Sequence, residues 1–452
     1  MKKFLFIITM FIPTVMIFSQ TEDSIMIKKI SDEILINGKA YDNLRHLTKK
    51  IGGRLAGSPQ MTMAEKWGEQ VMKTSGADRV IMQQCKVPHW VRGGEDEAKV
   101  TGGKKLDVVA LGNSMGSGKN GVKAEVLLVN SFDDLEKKKD QVKDKIVFYN
   151  YKFNPTFVQT FRSYGDASQY RGSGPSRAAK YGAKAVIVRS MSHSTDNNPH
   201  TGATRYLDSF AKIPAVAIGL RDADWLSEEL QKGKLNVAIK TNGHFLDSAI
   251  GHNVMGELTG SEFPNEIITV GGHLDSWDNC EGAHDDGAGC VQTIEILRAF
   301  KAVGYKPKRT IRFVLFANEE NGLRGGNKYA EEAKIKNEKH IFALESDAGG
   351  FTPRAFGFTM SEEQFQKVLQ WKPLIAPYGC SEFNRGGGGA DIGPLRRAFP
   401  TTALAGLSPD SQRYFDIHHA RNDVFENVNK RELELGAVNM AALIYLIDKY
   451  GL

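Results

Sequence analysis

The chain predicts an α/β fold in two parts, and three observations carry that prediction. An apolar, β-branched run at 267–270 is followed by a glycine-rich polar loop and then by a helical pattern with Val291, Ile294, Leu297 and Phe300 apolar. The same construction returns at 310–316 and 340–344, where apolar runs again break off into acids. Between about 104 and 244 the texture changes to short apolar runs separated by glycine-bearing turns, the signature of a second, smaller unit.

Taken in order, residues 1–19 form a targeting segment: Lys2 and Lys3 open it, an apolar stretch from 4 to 18 follows, and Ser19 offers a small residue for cleavage before Gln20. That predicts an exported protein, periplasmic or extracellular, rather than one stably inserted in a membrane. The full sequence has globular values, with 41% hydrophobic and 25% charged residues, so a sizeable core is available. Its net charge of +6 comes from lysines and arginines scattered among nearly as many acids. The densest basic run, Lys137-Lys138-Lys139, is flanked by Glu136 and Asp140 and fits a solvated helix face, which excludes nucleic acid as the expected partner. Cys85, Cys280, Cys290 and Cys380 match no compact disulfide framework, and neither pairing nor metal ligation is expected of Cys280 and Cys290.

Helical patterns at 24–38 and 41–51 precede a glycine-rich loop, and Gly57-Ser58-Pro59 opens a further helix at 62–75 by ordinary turn chemistry. Within the second unit, strands are expected at 124–129, 145–149, 185–188 and 214–218, with helices at 176–181 and 223–231. His193, Asp196 and His200 fall in a polar loop, read as solvated, with a rim over an active site as the other reading. The first unit resumes with a strand at 252–258. Later come an amphipathic helix at 361–374, a ribbon of four glycines at 386–389 leading into Asp391, and a closing core helix at 432–450. The ribbon lacks the lysine and preceding strand of a phosphate loop; it suits backbone exposed to a bound peptide, with Asp391 capping the next helix or meeting a substrate amine.

The chemistry gathers where strands end. His273 and Asp275 close the first run, Asp285 and Asp286 follow its loop, Glu319 and Glu320 follow the second, and Asp347 follows the third. His418 and His419 follow an aromatic run near the end of the chain. In open α/β sheets ligands sit at the carboxyl ends of strands. Imidazoles with several carboxylates suit a divalent ion such as zinc, and the acids are too many for one closed tetrahedral site. They fit two neighbouring metals that share one acid and a water.

These segments resemble the co-catalytic di-zinc exopeptidases. The matching words are GGHLDSWD (271–278), GAHDDGAG (282–289), PKRTIRFVLFANEE (307–320), LESDAGG (344–350) and YFDIHHARND (414–423), and upstream VPHWVRG (87–93), DKIVFYN (144–150) and RAAKYGAKAVIVRS (177–190). The resemblance implies an α/β/α sandwich with a mixed central sheet, interrupted by a small α+β domain of the protease-associated kind. The implied division is a peptidase domain over 20–103 and 246–452 and an insert over 104–245. It implies two zinc ions, one held by His273 and Asp347, the other by Glu320 and His419, with Asp285 bridging. His419 is taken over His418 because its spacing to Asp423 matches the family. The resemblance makes Glu319 the general base, gives Asp275 the task of orienting His273, and places a cis peptide between Asp285 and Asp286. A homodimer is also implied.

The resemblance further implies hydrolysis of short unblocked peptides, dipeptides especially, from the carboxyl end. An aminopeptidase of the same fold is the alternative, since no clamp for a terminal carboxylate or amine is certain; Arg385 is a candidate for the former. From other classes, a metal-binding module without turnover is disfavoured by the filled ligand positions, and a single-zinc glutaminyl cyclase by the insert.

Overall fold

In a computed structural model that describes residues 21–452, the chain builds two eight-stranded sheets. The targeting segment read over 1–19 lies outside the described residues. The first sheet runs, from edge to edge, Arg79–Val91, His244–Leu258, Arg309–Phe316, Phe263–His273, Lys339–Glu345, Ala403–Pro409, Pro353–Thr359 and Glu382–Arg385. Its middle is parallel, antiparallel pairs flank that middle on both sides, and the outermost pair, Pro353–Thr359 with Glu382–Arg385, is parallel again, so the sheet is mixed. Alternating side chains of the Arg309–Phe316 strand bury on opposite faces. Ile311, Phe313 and Leu315 pack with the helices Glu22–Asn37, Pro59–Thr74, Ala288–Ala302 and Lys430–Tyr450, whereas Val314 and Phe316 pack with Arg324–Ile335 and Gly393–Ala398. Both faces are therefore covered, which is why the central strands are apolar throughout rather than alternating.

All strands of the second sheet lie between Glu97 and Lys240, in the order Lys105–Leu106, Glu97–Val100, Asn236–Lys240, Val122–Val129, Ile146–Tyr149, Ala185–Arg189, Ala215–Ile218 and Val108–Ala110. Its helices are Phe132–Lys137, Thr160–Gly172, Gly174–Ala179 and Leu220–Lys232. The boundary read at 103/104 cuts a hairpin of this sheet, because Glu97–Val100 already pairs with Lys105–Leu106. The return is also earlier than expected: the strand read from 252 begins at His244 and pairs along its length with Arg79–Val91. That pair escapes the alternation rule because Pro88 sits at a bulge and both strands carry mixed polar and apolar residues. The helix Thr160–Gly172 escaped as well, since its sequence TFRSYGDASQYRG is glycine-bearing and weakly apolar.

Elsewhere the predicted elements differ from the observed ones mainly in their ends. The helix read over 361–374 breaks at Leu369 and resumes at Lys372–Ile375, where Pro373 enters its first turn. Ser58 caps Pro59–Thr74 by accepting from Met61 N at 3.1 Å, as ordinary turn chemistry requires. The four cysteines are free, three of them buried. Among the described residues, no helix is long and apolar enough to cross a membrane.

Candidate metal centre

Three neighbouring parallel strands deliver the site. His273 ends the Phe263–His273 strand level with Phe316, and Gly271 of the same strand sits level with Glu345. The chain then leaves the strands as loops on one edge, placing Asn318–Glu320 to one side of His273 and Asp347 to the other. The peptide between Asp285 and Asp286 is cis.

Two groups of donors meet on Asp285. His273 Nε2 lies 3.1 Å from Asp285 Oδ1 and 3.4 Å from Asp347 Oδ1. His419 Nε2 lies 3.1 Å from Asp285 Oδ2 and 3.1 Å from Glu320 Oε2. His418 stacks on His419 with ring centroids 3.6 Å apart, and its Nε2 stands 3.5 Å from Asp285 Oδ2. Its nearness to Asp285 gives His418 a place beside that second group. Apart from Asp347, which is part-exposed, these groups are buried.

The hydrogen bonds around the imidazoles fix which nitrogen is free. His273 donates from Nδ1 to Asp275 O at 3.0 Å, and His419 donates from Nδ1 to Thr201 O at 3.3 Å. Each Nε2 then turns a lone pair toward carboxylate oxygens. Asp285 Oδ2 and Glu320 Oε1 are buried with no hydrogen-bond partner, and although His419 Nε2 is close to Asp285 Oδ2 it is not aligned to donate to it. Acceptors facing acceptors in a buried site require positive charge between them. Burial resists charging the rings, yet Asp347 and Asp285 pull His273 well above its usual value, and Glu320 and Asp285 do the same for His419. A divalent metal satisfies the same demand while leaving the imidazoles neutral. Two histidines with shared carboxylates are a zinc donor set, and the two clusters make a two-zinc site.

The neighbours correct several expectations. Asp275 does not orient His273 through its carboxylate, which is 3.7 Å from Nδ1; its backbone carbonyl does that. The Asp275 carboxylate instead accepts from Glu319 N at 2.9 Å and Glu320 N at 3.3 Å, tying the glutamate turn to the histidine strand. Asp286 Oδ2 accepts from His273 N at 3.0 Å and its Oδ1 from Gly289 N at 2.9 Å, so it joins the strand to the helix that follows. Asp391 does not cap the helix after it: it is fully buried, and neither carboxylate oxygen has a partner. Burial, with Glu345 and Glu319 nearby, holds its carboxyl well above the usual range. His200, read as solvated, is buried beside His419, and burial lowers its pKa to about 4. His193 remains exposed and meets Phe153 edge-on.

Three supporting residues were missed. Arg54 is fully buried and donates to the carbonyls of Leu274, Glu281 and Gly282, bracing both ends of the 274–282 loop. Its only sequence signal was a lone arginine in a glycine-rich turn. Asp423 accepts from His284 N at 2.8 Å and Asp285 N at 3.1 Å, fixing the backbone that presents the bridging acid. Burial and the nearby Asp285 raise its pKa to about 7. Arg171, from Thr160–Gly172, reaches the outer side of His419.

Beside Asp347 opens a cavity of about 450 Å³, lined by Glu345, the glycines 386–389, Arg354 and Arg385, and by Gln159 and Phe161 from the second sheet's segment. Side chains are excluded at two points of the ribbon: a Cβ on Gly387 would lie 2.6 Å from the Gly357 carbonyl carbon, and one on Gly389 2.0 Å from the Glu345 carboxyl carbon. Arg385 pairs with Glu362 and covers Phe365, while Arg354 stands 3.6 Å from Asp410.

A mixed α/β sheet with two imidazoles and shared carboxylates at its strand ends defines a metal-dependent hydrolase, with a nucleophilic water and an acid–base carboxylate at hand. Comparison with known proteins narrows the class. Residues 253–444 match the profile of Peptidase family M28. Carboxypeptidase Q from Bos taurus is 33% identical over 415 residues, covering 90% of this chain and 85% of that one, and carboxypeptidase Q from Homo sapiens is 33% identical over 414. The crystal structure of a Peptidase M28 precursor from Shewanella amazonensis superposes with a TM-score of 0.90 at 31% identity, covering 94% of this chain and 96% of the other. An aminopeptidase from Aneurinibacillus sp. strain AM-1, at a TM-score of 0.62 and 24% identity, shares the fold. The chain belongs to peptidase family M28 and is a zinc-dependent exopeptidase.

Proposed function

We propose that this exopeptidase acts as a carboxypeptidase of the carboxypeptidase Q type on short unblocked peptides, dipeptides especially. The cavity beside Asp347 carries the reading. Its volume suits a small ligand, Phe161 and Gln159 line it from the second sheet's segment, and Arg354 and Arg385, each beside an acid of its own, are among its lining residues. Planar guanidinium forks are the natural partners of a terminal carboxylate. Similarity to carboxypeptidase Q over most of both chains supports the same polarity.

In this reading His273 and Asp347 hold one zinc ion, Glu320 and His419 the other, and Asp285 lies between them. Bound there, two zinc ions supply a water of lowered pKa and a polarised carbonyl. Glu319 takes the water's proton and returns it to the leaving nitrogen. In the metal-free site burial, with Asp347, Glu320 and Asp275, holds its carboxyl above the usual carboxylate range against the pull of His273. Cations held by the neighbouring ligands would lower it toward the ionised form that a base needs. Asp275 fixes the turn on which Glu319 stands. The second sheet's segment is assigned as a protease-associated-type insert, and residues 1–19 as the signal for export of an enzyme that works as a homodimer.

A specific observation favours aminopeptidase polarity as the second reading: the unpartnered Asp391 carboxylate near Glu345 and Glu319 would suit a substrate ammonium. A panel of dipeptides decides, comparing unblocked, N-acylated and C-amidated forms with and without a chelator. Carboxypeptidase action predicts loss of turnover on amidation and survival on acylation. The reverse pattern would establish the aminopeptidase reading.

A further inference from the structure

The two halves of the metal centre are held in different ways. The hydrogen bonds that place His273 come from its own strand, the loop after it and the Ala288–Ala302 helix: Asp275 O, Asp286 Oδ2, and Cys290 Sγ, which donates to His273 O at 3.0 Å. The other half is gripped from outside. His419 stands in the left-handed region, at φ 60°, where side chains other than glycine and asparagine are uncommon. Thr201, from the segment of the second sheet, holds it at two points, donating from N to His419 O at 3.0 Å and accepting from His419 Nδ1 at 3.3 Å.

Arg171 supports that grip. Its Nη1 is 3.4 Å from Thr201 O and 3.4 Å from His419 Nδ1, and its Nη2 donates to Tyr164 Oη at 2.6 Å. The Tyr164 ring in turn meets His418 edge-on. The guanidinium lies against Gly202, where a Cβ would fall 2.5 Å from its central carbon, so the 200–202 loop is shaped to receive it. A third contact reaches the glutamate turn. Asn113 accepts from Asn321 Nδ2 at 3.1 Å and donates to Asn321 O at 3.3 Å, next in sequence to Glu320. Trp277 fills the space between, 5.7 Å from the His419 ring and pressed on Gly112 so closely that no side chain fits there.

We infer that the segment from Glu97 to Lys240 is a clamp for one metal of the two: Arg171, Thr201 and Asn113 position His419 and Glu320, while the His273–Asp347 half assembles without them. The inference rests on the two-zinc reading of the ligands. Its physical basis is that a ligating imidazole is oriented by whatever its other nitrogen donates to, and loss of such partners costs about 10–100-fold in metal affinity. Arg171 only donates, so it keeps the Thr201 carbonyl where His419 Nδ1 can reach it. These are positioning residues and touch no substrate.

The test uses the full-length, zinc-loaded protein dialysed against a chelator that fixes free zinc, with bound zinc per chain measured by elemental analysis. The unsubstituted protein should hold two ions. Arg171→Ala should weaken one ion about 10–100-fold and leave the other unchanged, and Arg171→Lys should recover part of the loss. Combining Arg171→Ala with His273→Ala should strip both. Arg177→Ala, an exposed change on the same segment, should alter neither. Asn113→Ala, which approaches from the Glu320 side, must weaken the same single ion and stands in should Arg171→Ala not fold. Unchanged affinity for both ions in Arg171→Ala and Asn113→Ala, or equal loss of both, overturns the inference. Fewer than two ions in the unsubstituted protein overturns the two-zinc reading beneath it.

Discussion

Arg54→Met tests whether the metal-bearing loop is braced from behind. The guanidinium is fully buried and donates to three carbonyls, those of Leu274, Glu281 and Gly282, of which the latter two bonds measure 2.8 and 3.0 Å. Methionine keeps much of the volume but leaves all three acceptors stranded. A hydrogen bond from a charged donor contributes a net ~1.5–3 kcal/mol, and a buried acceptor left bare costs ~1–3 kcal/mol. Three such losses at the low end, reduced by water entering the emptied space, give an expected destabilisation of about 3–5 kcal/mol against a total stability of about 5–15 kcal/mol. The assay is urea unfolding of the metal-free protein, so that zinc does not mask the change. Arg54→Lys should recover only part, because an ammonium cannot span three carbonyls arranged for a planar fork. A change under about 1 kcal/mol in Arg54→Met would refute the reasoning.

Other outcomes follow from the same geometry. Glu319→Ala should abolish hydrolysis while about two zinc ions remain bound; normal turnover would remove Glu319 from its role. Gly389→Ala should cut turnover at least tenfold, because the added carbon meets the Glu345 carboxyl at 2.0 Å and must push the ribbon into the cavity; steady-state kinetics on dipeptides would read it. Far from the metals, burial works to raise Glu338, but donation from His340 and Arg312 overcomes it and holds the carboxyl well below the usual range. Its folded pKa lies below its unfolded one, so this contribution to stability is fully present above about pH 4.3 and is lost as pH falls toward the folded value. Glu338→Gln should flatten the acid limb of a stability–pH curve; an unchanged limb would count against the pairing.

What the sequence disclosed, and what it hid, divides along a physical line. His273, Glu319, Glu320 and Asp347 were legible because each follows a buried strand whose β-branched composition announces where it stops. Asp285 and His419 needed the resemblance, since neither follows a strand. Arg54, Asp423, Arg171 and Thr201 were not legible as parts of the site. Arg54 acts on carbonyls 220 to 228 residues away, and Arg171 lies 248 residues from His419. No local periodicity records such meetings. Asp275 misled for a different reason: the pattern His-x-Asp invites a carboxylate partner, but in an extended strand end the backbone carbonyl of residue i+2 is nearer than its side chain. His200 looked solvated because its loop is polar; only the end of that loop is buried, where Thr201 bonds to the carbonyls of His419 and Ala110, contacts that composition does not encode.

The most direct measurement is anomalous diffraction at the zinc edge from crystals of the metal-loaded protein. The account requires two peaks per chain, one on each side of the Asp285 carboxylate, the first against His273 and Asp347 and the second against Glu320 and His419. A single peak, or two peaks elsewhere with Asp285 uncoordinated, would contradict it.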